Sequence, residues 1–258
     1  MSSLHYFESN IWLTEVPLGD YSVRGALIVG AERVVAWDTL SHPHDMARVF
    51  PLLDEKELVI IYSHADWDHA WGTAGLPYHH ATIIGHAACL ARFSDDVPLT
   101  LREKQAAEPT RWDAVQLIAP NLTFQQELSL DLGDETLTLR HLPGHTPDSI
   151  VAFLPEQGIL FAGDTVETPL PCLSEHCPLA PWIAELQRWA DDGRVRLVIP
   201  SHGAIGGREL LHRNIEYLQR LANCEPIDFA EPLNDFYRET HEMNRRIANS
   251  FVSLIRGY

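Results

Sequence analysis

Leu58-Val59-Ile60-Ile61-Tyr62-Ser63-His64-Ala65-Asp66-Trp67-Asp68-His69 joins an uninterrupted apolar run to four ionisable side chains within six residues. The run has the length and β-branched content of a strand buried on both faces, and Ser63 opens a polar turn at its end. Titratable groups gathered at the end of a buried strand are costly unless their charge is compensated, and a divalent cation compensates it directly. A solvated loop with a local helix cap is the ordinary alternative, because short His/Asp motifs recur by chance.

The same arrangement returns three times further along the chain, in Leu142-Pro143-Gly144-His145-Thr146, Phe161-Ala162-Gly163-Asp164-Thr165 and Ile199-Pro200-Ser201-His202-Gly203. Each sets one potential metal ligand beside a glycine just past a predicted strand. Glycine permits a tight turn, and a strand end fixes the direction of the side chain that follows it.

The order and spacing of these four motifs resemble the metallo-β-lactamase superfamily, whose pattern runs from a clustered HxHxDH through GH and GD to a late SHG or GHG. The resemblance spans His64 to Gly203 and extends weakly in both directions. It implies an α/β fold of the four-layer αββα sandwich type with a dinuclear metal site. Carried over position by position, it assigns His64, Asp66 and His145 to one ion and Asp68, His69 and His202 to the other, with Asp164 bridging. Asp66 is the departure, since the family pattern has histidine there. A carboxylate in place of imidazole makes that site harder and more anionic. Two divalent ions facing Asp66, Asp68, Asp164 and a bridging hydroxide would form a neutral assembly.

The expected cofactors are therefore two divalent metal ions, zinc first, with iron or manganese admitted by the oxygen-rich set. The implied function is a hydrolase whose metal-bridged hydroxide attacks a small ester, thioester, lactone or similar substrate. Asp68 would orient the nucleophile and pass its proton to the leaving group. Two readings compete with this one. Flavodiiron proteins are similar in having a carboxylate at the Asp66 position, which gives a di-iron redox protein as one alternative. A weakened first site in a non-catalytic metal-binding relative is the other. Glyoxalase-type thioester hydrolysis is disfavoured, because Glu225 to Tyr258 has no obvious basic site for a glutathione carboxylate.

The rest of the chain bounds these expectations. At 258 residues it suits a single domain, read here as residues 1–258 with a helical insertion at 93–119 and a C-terminal helical tail at 235–255. A net charge of −17, with no basic run interleaved with aromatics, argues against nucleic acid as a partner and leaves a small-molecule substrate. No apolar stretch approaches the roughly 20 residues that span a bilayer. The opening MSSLHYFESNIW lacks a basic leader and an apolar core, so the expected compartment is the cytoplasm. Cys89, Cys172, Cys177 and Cys224 are irregularly spaced and read as free thiols.

Periodicity predicts strands over Ile11 to Val16, Ser22 to Val29, Arg33 to Asp38, Leu58 to Tyr62, Ala81 to Ile84, Leu122 to Leu130, Glu135 to His141, Ile150 to Leu154, Gly158 to Ala162 and Val195 to Ile199. Helices are predicted over Pro43 to Leu53, Ala70 to Ala74, His86 to Arg92, Pro181 to Ala190 and Gly207 to Leu221. Two β-rich halves, each followed by helices, imply two sheets face to face with helices outside. Smaller expectations concern single side chains. His79, His80 and His86 read as solvated, and His176 as a residue near the pocket without a chemical role. Trp67 and Trp71 read as pocket wall or core, and Thr146 and Asp148 as supports for His145 or neighbouring loops.

Overall fold

A computed structural model describes residues 2–53, 56–175 and 177–256, with side chains through residue 250. His176 thus lies outside the described residues. The first sheet has seven strands in chain order: β1 (Ser3–Glu8), β2 (Ile11–Pro17), β3 (Ser22–Val29), β4 (Arg33–Trp37), β5 (Glu57–Ile61), β6 (Thr82–His86) and β7 (Leu122–Phe124). β1 to β4 form an antiparallel meander, and β4 to β7 run parallel. The second sheet has five: β8 (Glu127–Asp131), β9 (Thr136–His141), β10 (Ile150–Leu154), β11 (Ile159–Gly163) and β12 (Leu197–Pro200), with β12 joining β11 in parallel. The helices are α1 (Phe50–Leu53), α2 (Trp67–Ala70), α3 (Ala87–Arg92), α4 (Asp96–Ala107), α5 (Pro109–Trp112), α6 (Leu179–Asp191), α7 (Glu209–Ala222) and α8 (Asp235–Arg256).

The two-residue period of each central strand sends alternate side chains into different cores, and this stacks the molecule in layers. Val35 and Trp37 of β4 and Val59 and Ile61 of β5 meet Ile150, Ala152, Ile159 and Phe161 of the second sheet. Their neighbours Val34, Ala36 and Ile60 face outward onto Met46, Trp71, Cys89 and Trp112. On the far side, Val151, Phe153, Leu160 and Ala162 face Trp182 and Leu186 of α6 and Leu211 and Leu218 of α7. Helices, sheet, sheet and helices therefore lie in the expected αββα order.

Two local expectations are corrected, and one strand was not expected. Leu122 to Leu130 is two strands, because the chain crosses at Gln125-Gln126 from the edge of one sheet to the edge of the other. Pro43 to Leu53 is a 3-10 segment over 43–49 followed by the single turn α1, where Pro51 has no N–H to continue a regular ladder. β1 had no sequence signature because it is an edge strand with no fully buried side chain.

The two sheets are also tied at one end through backbone bonds. Ile150 N donates to Ser63 O at 2.8 Å, and Arg24 N donates to Ser201 O at 2.8 Å. The C-terminal ends of β4, β5, β11 and β12 open there, beside the β9–β10 connection. Among the described residues no helix is long and apolar enough to cross a membrane.

Candidate metal centre

All seven residues singled out in the sequence converge at that end. His64, Asp66, Asp68 and His69 follow β5, Asp164 follows β11, His202 follows β12, and His145 sits in the loop before β10. The Nε2 atoms of His64, His69, His145 and His202 lie 3.8, 3.4, 3.7 and 3.3 Å from one oxygen, Asp164 Oδ2. Asp66 Oδ2 is 3.5 Å from His64 Nε2 and 3.4 Å from His145 Nε2. Asp68 lies 3.7 Å from His69 Nε2 and 3.6 Å from His202 Nε2.

Ligand atoms of His64, Asp66 and His145 lie within 4.8 Å of one another, as do those of Asp68, His69 and His202, so each trio could hold an ion. His64, His69 and Asp164 form a third such group that joins the two. The donor set also fits ions on a separate ground. His64 Nε2, His69 Nε2 and Asp164 Oδ1 are buried without a hydrogen-bond partner, a condition that ligation would relieve.

Each imidazole is aimed by its other nitrogen. His145 Nδ1 donates to Cys172 O at 2.8 Å and His202 Nδ1 to Ser22 O at 2.7 Å, which fixes the tautomer with a lone pair on Nε2. His69 Nδ1 pairs with Asp38 Oδ2 at 2.9 Å, and His64 Nδ1 with Ser63 Oγ at 2.9 Å. Asp38 also accepts from Ser63 N at 2.7 Å and Ser63 Oγ at 2.8 Å. Its backbone is in the left-handed region at φ 58°, a strain tolerated better by Asp than by most residues and concentrated at functional sites.

The glycines beside the ligands have different reasons. Gly163 at φ 53° makes the left-handed turn that delivers Asp164. Gly144 instead allows close approach, because a Cβ there would stand 2.6 Å from the Trp182 ring.

Mutual charge holds the cluster together. Burial alone would lower the His202 and His145 pKa values, but Asp164 and neighbouring carboxylates raise the first to about 10, and Asp66 and Asp164 raise the second to about 9. His69 is likewise held well above its ordinary value, against burial, by Asp164, Asp68 and Asp38. Burial would raise Asp66 and Asp164, yet the imidazoles, joined by Arg92 in the case of Asp66, hold both well below the usual carboxylate range. Protons thus occupy positions that cations can take, and ion binding should displace them.

Several participants escaped the sequence reading. Asp38 directly follows β4 as the ligands follow their strands, so the same strand-end logic would have found it. Arg92 carried no signal, since its partners lie far off in sequence. Its Nη2 donates to Asp66 Oδ1 at 2.6 Å and its Nη1 to Asp148 Oδ1 at 3.0 Å, and Asp96 takes further bonds. Asp148 is fully buried and accepts from Ala65 N at 2.8 Å, so it supports the ligand loop rather than His145 itself. Glu167, three residues past Asp164, is buried with the Tyr237 phenol against it, and burial pushes its carboxyl up to about 7.

Other expectations divide. Trp71 is buried in the core, while Trp67 is partly buried, and both line a 200 Å³ cavity beside Asp66 and Arg92. His79 and His80 are exposed. His86 is not: it is buried, caps α3 by accepting from Ala88 N, and stacks on His141 with ring centroids 3.7 Å apart. All four cysteines are free. A cleft of about 1020 Å³ lies beside α7 and has Thr168, Arg213, Phe229 and Tyr237 in its walls.

Comparison with known proteins identifies the family. The chain is 28% identical over 190 residues to the acyl-coenzyme A thioesterase MBLAC2 of Bos taurus, covering 67% of this chain and 66% of that protein. It is 27% identical over 185 residues to a type 2 metallo-beta-lactamase of Bacteroides fragilis, covering 67% and 68%. The solved metallo-beta-lactamase from Pontibacter korlensis shares the fold with a TM-score of 0.66 at 19% identity, covering 85% of this chain and 99% of that one. A variant of the sec-alkyl sulfatase PisA1 superposes with a TM-score of 0.68 at 16% identity, covering 86% and 42%. The family model of the metallo-beta-lactamase superfamily matches residues 19–207, and the chain belongs to that superfamily.

Proposed function

We propose that the protein is a metal-dependent hydrolase that holds two divalent ions, zinc in the first instance, and cleaves a small thioester or related ester or lactone. The observation that carries this reading is the convergence of four imidazole Nε2 atoms on Asp164 Oδ2, with three buried donor atoms there lacking any partner. His64, Asp66 and His145 would hold one ion, Asp68, His69 and His202 the other, and Asp164 both. When bound, such ions supply Lewis acidity and an activated water near neutral pH.

The chain's own residues would do the rest. Asp68, almost fully buried and close to both His69 and His202, orients the attacking water and accepts its proton for transfer to the leaving group. His69 and His202 are locked from behind by Asp38 and the Ser22 carbonyl, so their geometry is set before substrate arrives. The thioester preference takes its support from the acyl-coenzyme A thioesterase among the relatives.

A di-iron redox centre rests on Asp66 alone. The guanidinium of Arg92 at 2.6 Å from that carboxylate offsets its charge, which favours divalent ions over a centre that must stabilise higher oxidation states. The test is release of free thiol from short-chain and long-chain acyl thioesters, with lactone, phosphodiester and β-lactam comparators. We expect thioester cleavage that a chelator abolishes and zinc restores. A protein loaded with two zinc ions that cleaves none of these substrates would overturn the reading.

A further inference from the structure

We propose that Asp66 and Arg92 act as one unit replacing the histidine of the family motif, with Arg92 as the positioning residue that makes Asp66 a one-oxygen ligand. The inference rests on the metal-site reading above and concerns how its first half is built. The two oxygens of Asp66 are used differently. Oδ1 is taken by Arg92 Nη2 at 2.6 Å, whereas Oδ2 points at His64 Nε2 and His145 Nε2. An ungripped carboxylate could rotate and offer both oxygens to an ion; a gripped one offers a single directed atom, as an imidazole does.

Arg92 is itself fixed on three sides. It ends α3, where Asp96 one turn later accepts from its Nε and Nη2, and its Nη1 reaches the fully buried Asp148. Asp148 also accepts from Ala65 N, in the residue between His64 and Asp66. One arginine thereby ties α3, the ligand loop and the β9–β10 loop that carries His145. A planar fork suits three carboxylates in a way that the point charge of lysine does not. The guanidinium sets a positive charge beside a carboxylate that the family pattern lacks, and shares that charge with Asp96 and the buried Asp148. It follows that Arg92 reaches the first half mainly through the grip on Asp66 Oδ1.

The test is stepwise zinc affinity, measured by titrating metal-free protein against a chromogenic chelator, together with thermal unfolding. Wild type should take up two equivalents. Arg92→Gln should weaken one of the two steps at least tenfold and leave the other within a factor of about three, with Arg92→Lys intermediate. In the Asp66→His background, Arg92→Gln should cost less at that step than it does in wild type. Cobalt substitution gives a second readout, because the visible bands of one ion should change in Arg92→Gln and those of the other should not. Equal affinities in Arg92→Gln and wild type would overturn the proposal. So would loss of both steps together with a lowered melting temperature, or an equal cost of Arg92→Gln in the wild-type and Asp66→His backgrounds. Wild-type protein that takes up no zinc would overturn the functional reading, and this inference with it.

Discussion

The two halves of the metal centre are built by different means. Asp68, His69 and His202 are buried, and the rings are backed by the Asp38 carboxylate and the Ser22 carbonyl, both set by the first sheet. On the other side Asp66 keeps 27% of its side chain exposed and is held by a side chain from the six-residue helix α3. Its companion His145 depends on the Cys172 carbonyl in an irregular segment. Backbone and buried carboxylate give a rigid half; an arginine fork and two loops give an adjustable one. Precision in a site built on sheet ends is inherited from the sheet, whereas a site built on salt bridges carries the screening and mobility of its partners.

Four experiments break or sharpen that contrast. The largest effect belongs to Asp164, which serves both halves: Asp164→Ala should lose both ions and all measurable hydrolysis, and retention of two equivalents by elemental mass spectrometry would show that neither half depends on it. Asp68→Asn should lower kcat by about 10²- to 10⁴-fold, the range of a lost general base, with His69 and His202 still held by Asp38 and the Ser22 carbonyl. A smaller change in kcat would place the proton transfer elsewhere. Asp38→Asn loosens His69 directly and His64 only through Ser63, so it should weaken one zinc step by about 10- to 100-fold and the other by less, as read by chelator competition.

The smallest effect is on stability and depends on pH. In the metal-free protein His145 stands at about 9 and His202 at about 10, above the ordinary 6.5 of histidine. Their protonated forms stabilise the fold fully below about pH 6.5, and that contribution is lost as pH rises towards 9 to 10. The melting temperature of chelator-treated protein should therefore fall across this window, by about 2–4 °C for each kcal/mol lost in a chain of this size. Zinc-loaded protein should lack the decline, because the ions take the place of the protons. A flat profile in the metal-free protein would contradict the charge pairing described here.

The rigid half was more legible in the sequence than the adjustable one, for a physical reason. Strand ends announce themselves through apolar runs that stop at a glycine and a polar residue, so β3 and β10 are found with the predicted bounds and seven site residues fall together. Asp38 was visible in the same terms at the end of β4, although only the fold shows that its carboxylate faces His69. Arg92 was not visible at all, since α3 gives no hint that its last residue meets Asp66 and Asp148 across 26 and 56 residues of chain. The break within Leu122 to Leu130 was hidden for a similar reason: apolar residues resume in the same register at Leu128 after Gln125-Gln126-Glu127, and only the fold shows the change of sheet. Periodicity reports which face is buried, not which neighbour covers it.

Metal content per chain tests the central claim most directly, measured by elemental mass spectrometry on protein prepared without an affinity metal and then equilibrated with zinc. The seven-residue cluster predicts two equivalents in wild type. One equivalent or none at saturating zinc would contradict it.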